Sequence, residues 1–373
     1  MAALQSRGIV LCAGELSGDM HAAHVVAALG AALPGVEVRG MAGERSAAAG
    51  MDVRFDHRAY AVIGFTGVLA GLPRFYRLER ALRRLIDQAD LFIAVDYPGL
   101  NLRLCAHAHR RGVPVLYYIG PQIWAWGAGR MEKIKQTVDR MAVVLPFEAT
   151  LYHDAGVPVE FVGHPFVVDH ELPPPGDAAR DGVALLPGSR ESEVRHLLPL
   201  LLDSAERLAV RVPGTRFRIA RSPVVPRSLY TDLTARAAIE VDIADDAIEV
   251  LSGARAAMVA SGTATLQAAL LDTPLVVVYR TGALNFALAR RLVKIPHVGL
   301  VNVLLGRAVA PEFVQDAARP DAIAGAVERL LTRDDERNMM LAEFRALRGR
   351  LGGGAGARRV AEMARELIAE RHP

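Results

Sequence analysis

The sequence predicts an α/β protein with two domains, each built around a parallel β-sheet. Short β-branched runs alternate with longer amphipathic segments along the 373 residues. The runs are apolar throughout, as in parallel strands that are covered on both faces. One stretch, VVDHELPPPGDAARDG (167–182), interrupts the alternation with three consecutive prolines, glycine and charges, which predicts a linker between two sets of similar length.

The first set predicts an N-terminal domain over residues 1–167. Alternation of strand and helix implies parallel strands joined by right-handed crossovers. The predicted strands are GIVLCAG (8–14), LFIAVD (91–96), VPVLYYIG (113–120), MAVVLPF (141–147) and VEFVG (159–163). The predicted helices span 19–33, 74–88, 101–111, 130–139 and 147–155.

The second set predicts a C-terminal domain over residues 168–350. Its strands are GVALLPG (182–188), RFRIAR (216–221), AIEVDI (238–243), ARAAMVAS (254–261) and PLVVVYR (274–280). Its helices lie near 192–210, 228–238, 263–271, 283–292, 321–332 and 335–349. The glycine run GGGAG (352–356) then precedes a last helix at 357–370, so residues 351–373 are expected to pack on the N-terminal domain or on a partner chain.

Composition excludes several classes of protein. Lys and Arg total 44 against 41 Asp and Glu, which argues against a nucleic-acid binder held by a strong positive field. The two cysteines, Cys12 and Cys105, lie in different apolar runs, so a reduced cytoplasmic protein is expected. No apolar run approaches the roughly 18 residues of a membrane-spanning helix. The histidines lack metal-ligand spacing, so no metal is predicted.

The loop after the first strand, AGELSGDMH (13–21), is a candidate site because ligands of open parallel sheets bind at the carboxyl ends of the strands. Gly14 and Gly18 allow a tight turn, and Asp19 is predicted to cap the following helix. A plain glycine turn with a cap is one interpretation. The other is a loop that offers four side chains to a ligand: Glu15, Ser17, Asp19 and His21.

Two further strand ends carry residues of interest. Asp96 closes LFIAV before a Pro-Gly turn, where a carboxylate suits proton chemistry or, equally on position alone, a local Asx-turn. The segment YYIGPQIWAWG (117–127) contains Trp124 and Trp126, the only tryptophans of the chain. Packing is the usual role of such a pair, and an apolar wall for a ligand is the alternative.

Two loops of the second domain predict phosphate binding. LLPGSRESEV (185–194) and VASGTATLQAAL (259–270) each join a strand to a helix through small residues. Each is expected to present free backbone N–H groups and a positive helix end, and Arg190 adds charge-assisted bonds. Two such loops in one domain favour a nucleotide diphosphate, whereas close helix–strand packing is the alternative use of small residues.

Seven motifs in order carry a family resemblance. AGELSGDMH, DYPGLN, IWAW, FVGHP, LLPGSRESEV, ASGTATLQAALL and RRLVKIPHVGLVNVLLGR together resemble the lipid-A-disaccharide synthases, inverting glycosyltransferases of GT-B type (family 19), over about residues 8–350. The resemblance implies two Rossmann-like domains facing a central cleft. It also implies condensation of UDP-2,3-diacylglucosamine with 2,3-diacylglucosamine 1-phosphate (lipid X) to a β(1→6) disaccharide and UDP.

The resemblance implies roles for the candidate residues. UDP-sugar binding is expected from the C-terminal domain through Gly188, Ser189, Arg190, Ser261, Gly262, Thr263, Gln267 and Asn302. The acceptor is expected at the loop of Gly14, Glu15, Ser17 and Gly18. Asp96 is the expected general base, with Asp19 and His21 as rivals. Neither a metal nor another cofactor is needed if Arg190 and the helix ends stabilise departing UDP.

Two departures from the family pattern leave other functions open. Gly99 and Gln267 stand where the family often has an acidic residue. Asp96 must then act alone or with the first loop, and donor binding is expected to be weaker. The alternatives are another GT-B UDP-sugar enzyme, either a transferase or an epimerase, and a non-catalytic UDP-sugar or lipid-binding paralogue.

A segment of the first domain predicts membrane contact. Residues 61–85 combine six apolar side chains with a basic stretch that contains five arginines. The apolar residues are Val62, Ile63, Phe65, Val68, Leu69 and Leu72. An ordinary surface helix is the alternative, but acylated substrates favour peripheral binding to the cytoplasmic face of the inner membrane. No nucleic-acid partner is expected, and homodimer formation is left open.

Overall fold

The computed structural model of the chain describes residues 8–60, 64–124, 128–169, 180–282 and 296–371, without the side chains of 64–72 and 128. It divides into two compact units. The first comprises Met1–His170 with Leu351–Pro373, and the second comprises Glu171–Arg350. Each unit contains one parallel sheet covered by helices, which confirms the predicted α/β class.

The first unit contains a seven-stranded parallel sheet in the order β3-β2-β1-β4-β5-β6-β7. Its strands are β1 (Ile9–Ala13), β2 (Val38–Ala42), β3 (Asp52–Asp56), β4 (Leu91–Val95), β5 (Val115–Tyr118), β6 (Arg140–Val143) and β7 (Val159–Phe161). Its helices are α1 (Leu16–Ala32), α2 (Glu44–Ala48), α3 (Gly64–Ile86), α4 (Pro98–Arg110), α5 (Met131–Thr137), α6 (Pro146–Asp154), α7 (Pro165–Val168) and, from the chain end, α15 (Gly356–Arg371).

The sequence did not predict β2 and β3, because neither is an uninterrupted apolar run. β2 contains Arg39 and Gly40, and its register with β3 shifts between Gly40 and Met41. Gly40 has φ 145°, and a Cβ there would lie 2.2 Å from the Leu11 carbonyl oxygen of β1. β3 lies at the sheet edge and exposes polar side chains. Because of its charged residues, the sequence pattern did not predict β3 as a strand.

The core of the first unit lies around β1, β4 and β5, whose residues are all buried. Helix α15 packs against α1, so the chain end belongs to this unit. Its buried face includes Val360, Met363 and Leu367. Polar contacts reinforce the attachment, among them the Arg359–Glu160 ion pair at 2.7 Å.

The second unit contains a six-stranded parallel sheet in the order β10-β9-β8-β11-β12-β13. Its strands are β8 (Val183–Leu186), β9 (Phe217–Ala220), β10 (Asp242–Ala244), β11 (Ala256–Ala260), β12 (Leu275–Tyr279) and β13 (Glu312–Val314). Its helices are α8 (Glu191–Arg211), α9 (Arg227–Thr234), α10 (Ala247–Gly253), α11 (Thr263–Leu270), α12 (Leu300–Leu305), α13 (Pro320–Thr332) and α14 (Asp334–Leu351).

Two details of this unit differ from the expectation. β10 begins at Asp242, four residues after the start of the predicted strand AIEVDI. The three residues of β13 were not predicted as a strand because the segment is short and begins with a glutamate. The helix predicted at 283–292 lies outside the described residues. Within the described part of the chain, no helix combines the length and the apolar character needed to cross a bilayer.

Candidate functional site

Asp96 lies at the carboxyl end of β4 in a strained backbone. Asp96 and Tyr97 both have positive φ, 44° and 49°. The Asp96 carbonyl oxygen accepts hydrogen bonds from Asn101 Nδ2 at 2.7 Å and from the Tyr117 hydroxyl at 2.8 Å, which hold this turn. Position 14, which lies against the Tyr97 ring, requires glycine, since a Cβ there would lie 2.2 Å from that ring. Strain of this kind concentrates at functional sites.

The environment of Asp96 suits a general base. Burial raises the pKa of its carboxyl group to about 6, and the negative charge of Glu15 adds to the rise. A hydrogen bond from the Tyr97 backbone N–H acts in the opposite direction. A carboxylate that titrates near 6 is ionised at neutral pH yet is more basic than an ordinary aspartate, as proton abstraction requires.

Asp19 does not cap the helix that follows the first loop, contrary to the prediction. It lies inside the first turn of α1, and the N-cap residue is Glu15, whose side chain makes no cap bond. The Asp19 carboxylate instead accepts bonds at the start of α2. Its donors are the N–H groups of Gly43 at 2.8 Å, Arg45 at 3.1 Å and Ser46 at 3.2 Å, and the Ser46 hydroxyl at 2.6 Å. These bonds give Asp19 a structural role between α1 and α2.

The other residues of the first loop divide into exposed and buried positions. Glu15 and Ser17 are exposed, whereas Gly14 and Gly18 are buried. His21 is buried and meets the Phe166 ring edge to face, with centroids 5.7 Å apart. The exposed part of the loop therefore offers Glu15 and Ser17 to a ligand.

Sequence reasoning missed Glu148, which lies in the first turn of α6 just beyond β6. Its side chain is buried, and Oε1 accepts a 3.0 Å hydrogen bond from the Trp124 indole. Burial raises the pKa of Glu148 to about 7, and the charge of Asp96 contributes. Applying the strand-end rule to β6 would have identified it, since Glu148 follows MAVVLPF directly.

A second missed residue is His57, which follows β3. It is 4% exposed, and burial lowers its pKa although the charges of Asp19, Asp56 and Glu15 act in the opposite direction. A Cβ on Gly43 would lie 2.8 Å from the His57 ring nitrogen, so Gly43 permits the approach. His57 could not be identified from the sequence as a residue at a strand end, because β3 itself was not predicted.

In the second unit, the loop of Gly188, Ser189 and Arg190 does not present free N–H groups as predicted. The N–H groups of Ser189 and Arg190 donate to Glu193 Oε2 at 2.9 and 3.2 Å. Gly188 has φ 112°, and a Cβ there would lie 2.5 Å from the same carboxylate. An anionic side chain thus occupies the donors that were expected to bind phosphate. The Arg190 side chain is 66% exposed and lies 3.4 Å from Glu193.

The second predicted phosphate loop precedes α11. Gly262 has φ 145° and, like Thr263, is exposed, while Ser261 Oγ donates to the Val298 carbonyl at 2.6 Å. Gln267 is half-buried within α11. The exposed backbone at this helix start can bind an anion.

Asn302 lies in α12, and its amide is engaged within the protein. Asn302 Oδ1 accepts from the N–H groups of Val309 and Ala310, both at 2.9 Å. Its Nδ2 donates to the Ala310 carbonyl and to Glu312. The observed role is closure of the loop after α12, and ligand binding by Asn302 stays a prediction.

Several predicted residues fall where the structure gives no side chain. Val62, Ile63 and Trp126 lie outside the described residues. The remaining apolar residues of the predicted membrane segment lie in α3, whose backbone alone is described there: Phe65, Val68, Leu69 and Leu72. Further along α3, Arg74 lies over the Tyr60 ring at 5.1 Å. Across the described ranges, no cluster of His, Cys, Asp and Glu could hold a metal ion.

Comparison with known proteins gives matches over nearly the full length. A family model described as lipid-A-disaccharide synthetase matches residues 9–359. The chain is 41% identical to lipid-A-disaccharide synthase of Trichlorobacter lovleyi, with 99% of each chain covered. It is 40% identical to the enzyme of the same name from Myxococcus xanthus, with 96% of this chain and 97% of that one covered.

Solved structures confirm the GT-B architecture. The calicheamicin glycosyltransferase CalG4 superposes with a TM-score of 0.62 at 16% identity, covering 99% of this chain and 100% of that one. UDP-GlcNAc 2-epimerase from Neisseria meningitidis, bound to UDP-GlcNAc, gives a TM-score of 0.63 at 12% identity, covering 97% and 100%. At such identities these two structures show the fold alone.

Proposed function

Because the chain belongs to the lipid-A-disaccharide synthetase family, whose members are glycosyltransferases of lipid A biosynthesis, we propose a specific reaction for it. The donor is UDP-2,3-diacylglucosamine and the acceptor is 2,3-diacylglucosamine 1-phosphate. The acceptor 6-hydroxyl attacks the anomeric carbon of the donor, and the bond from that carbon to UDP breaks. The products are the β(1→6) disaccharide 1-phosphate, with inverted configuration, and UDP.

Asp96 is the general base of the proposed reaction. Its carboxylate takes the proton of the attacking hydroxyl while UDP leaves with the bonding electron pair. The observation that carries this assignment is the partly buried carboxyl group with a pKa of about 6 on a strained strand end. Its rivals are less suited, since the Asp19 carboxylate accepts four hydrogen bonds and His21 packs on Phe166.

Donor binding in this proposal uses the second unit. The start of α11, with the exposed backbone of Gly262 and Thr263, offers N–H donors to one phosphate. Arg190 offers charge-assisted bonds to the diphosphate. The diphosphate displaces the Glu193 carboxylate from the N–H groups of Ser189 and Arg190, because two anions cannot share these donors without strong repulsion.

An assay of UDP release tests the reaction. Purified protein is mixed with UDP-2,3-diacylglucosamine, with and without 2,3-diacylglucosamine 1-phosphate, and the lipid product is identified by mass spectrometry. We expect UDP release that requires the acceptor, together with one disaccharide product. Release that is independent of the acceptor, or conversion of the donor sugar without UDP release, would contradict the proposal and favour a hydrolase or an epimerase.

The same proposal includes peripheral membrane binding through the start of α3, since both substrates carry acyl chains. The double substitution Phe65→Ser and Leu69→Ser removes apolar area worth about 25 cal/mol per Å² of contact. We expect a smaller fraction of this variant than of the unmodified protein to sediment with lipid vesicles, while its UDP binding persists. Val210→Ser with Met339→Ser is the matched control, because both side chains are apolar and exposed in the other unit. This interpretation would be contradicted if both variants lost vesicle binding equally, or if the Phe65→Ser, Leu69→Ser variant unfolded.

A further inference from the structure

The Glu148 carboxyl group is a buried acid that the proposed reaction does not use. It lies at the beginning of α6, next to the carboxyl end of β6, and is 2% exposed. Its Oε1 accepts the Trp124 indole N–H at 3.0 Å. Its Oε2 is fully buried and has no hydrogen-bond partner among the described residues.

A buried carboxyl oxygen without a partner favours the protonated acid, because desolvation penalises the charged form. Burial is the largest cause of the raised pKa of Glu148, and the Trp124 hydrogen bond opposes it. The backbone at Val144 and Leu145 opposes it as well. The bond from Trp124 satisfies only Oε1, so it does not stabilise a full negative charge at this position.

The charge of Asp96 acts on the same group. Asp96 follows β4 and Glu148 follows β6, so both lie at the carboxyl edge of one sheet, separated by β5. The ionised Asp96 raises the pKa of Glu148 further. Among the described residues, Tyr152 also interacts with Glu148, and Glu15 and Tyr117 interact with Asp96. None of these neighbours is a cation, so a second negative charge beside Asp96 is disfavoured.

Glu148 also fixes an aromatic pair at this edge. The Trp124 and Phe147 rings meet edge to face with centroids 5.3 Å apart, and Phe147 is 38% exposed. The indole N–H is the only polar atom of the Trp124 side chain, and its bond to Glu148 determines how the ring is turned. Removal of this acceptor would free the pair to repack.

Building on the proposed role of Asp96 as the base, we infer that Glu148 is a positioning residue that keeps its proton while Asp96 is ionised and that holds Trp124 in place at the sheet edge. In this role the neutral acid is the working form. A glutamine can reproduce it, because the amide oxygen accepts the indole N–H and carries no charge. An alanine cannot, since it removes the acceptor.

The test combines a fluorescence titration with rates. In a Trp126→Phe background Trp124 is the only tryptophan, so its emission reports on the neighbouring carboxyl group. We expect a transition near pH 7 that is absent in Glu148→Gln. In Asp96→Asn the transition moves to lower pH by about 0.5–1 unit, because a neutral residue no longer opposes ionisation of Glu148.

The rates distinguish a Glu148 side chain that acts as a neutral acid from one that must be ionised for activity. At pH 7 we expect Glu148→Gln to keep kcat within about threefold of the original, whereas Glu148→Ala loses about tenfold or more through misplacement of Trp124. Melting temperatures of both variants show whether either has failed to fold. Glu132→Gln is the matched control, an exposed glutamate whose substitution leaves the fluorescence transition and the rate unchanged.

Three results would overturn the inference: a pH transition that persists in Glu148→Gln, one that does not move in Asp96→Asn, or a Glu148→Gln rate as low as that of Glu148→Ala. Failure of the proposed function has a different signature. If Asp96→Asn retains full activity, Asp96 is not the base, whereas the titration still reports whether Glu148 holds a proton beside it.

Discussion

Asp96 directly follows the fully buried strand β4 and shares its left-handed backbone conformation with Tyr97. Two non-glycine residues in this region cost on the order of 1–3 kcal/mol each. Hydrogen bonds from Asn101 and Tyr117 to the Asp96 carbonyl keep the turn in this state. The consequence is a fixed backbone conformation at the residue that carries the carboxylate.

Substitution of Asp96 by asparagine tests its proposed role as the general base. Asparagine keeps the shape but cannot take a proton, so kcat should fall by about 10²–10⁴-fold with little change in KM. If Asp96 is the base, its ionised form is the active one, so kcat/KM of the unmodified protein should rise with pH through about 6, the value to which burial raises its pKa. A loss below tenfold would exclude Asp96 as the base. A large loss with a lower melting temperature would indicate a damaged turn.

Arg190 lies in the first of the two predicted phosphate loops, and its side chain is mostly exposed. Arg190→Ala should weaken UDP binding by about 1.5–3 kcal/mol through loss of charge-assisted bonds to phosphate. Isothermal titration calorimetry with UDP measures the change. Arg195→Ala is a suitable control, because Arg195 is also exposed on α8 and pairs with Glu191 in the same helix. Equal affinity of the Arg190 variant and the unmodified protein would place Arg190 outside the diphosphate site.

At the scale of elements, Asp19 connects two helices. One side chain in α1 accepts three backbone N–H groups at the beginning of α2, which is only five residues long. The remaining bond comes from the Ser46 hydroxyl. A helix this short depends on tertiary contacts for its stability. The carboxylate therefore supports α2, whose start follows β2.

The hydrogen bonds between Asp19 and α2 predict that substitution of Asp19 lowers the stability of the protein rather than its catalytic rate. Asp19→Ala leaves buried donors unpaired and should reduce the free energy of unfolding by about 1–3 kcal/mol, measured by urea denaturation. Asp19→Asn keeps one oxygen and should lose less, because Oδ1 accepts three of the four bonds. A variant of normal stability with strongly reduced kcat would instead restore Asp19 as a candidate base.

At the scale of the whole molecule, the first unit is completed by the end of the chain. Helix α15 buries Val360, Met363 and Leu367, among other side chains, and contacts α1. Arg140 forms ion pairs with Glu366 and Glu370 of the same helix. The polypeptide therefore builds the first unit, then the second, and returns to finish the first.

Truncation after Leu351 should unfold the first unit and leave the second folded. Burial of the three large side chains contributes about 5–9 kcal/mol, which approaches the total stability of about 5–15 kcal/mol of an ordinary domain. Limited proteolysis followed by mass spectrometry should show rapid cleavage within residues 8–169 and a protected fragment from the second unit. Removal of residues 372–373 alone is the control. Resistance of both units in the truncated chain would show that α15 is dispensable.

The sequence by itself determined the α/β class and the buried strand that precedes Asp96. These features follow from local apolar patterning, because buried parallel strands are apolar throughout wherever they occur. Strands β2, β3 and β13 were not predicted from apolar patterning. They are short or polar, and pairing with neighbouring strands rather than composition makes them strands.

Only the tertiary structure decided which polar groups meet. It directed the Asp19 carboxylate to α2, 24 to 27 residues away, and placed Glu148 against Trp124, 24 residues away. Glu193 lies only four residues from Ser189, yet its bond to the predicted phosphate loop depends on the left-handed backbone of Gly188. Hydrogen bonds are short and directional, so their partners depend on how the chain is folded in space, whereas burial of apolar runs can be predicted from the composition of each run alone.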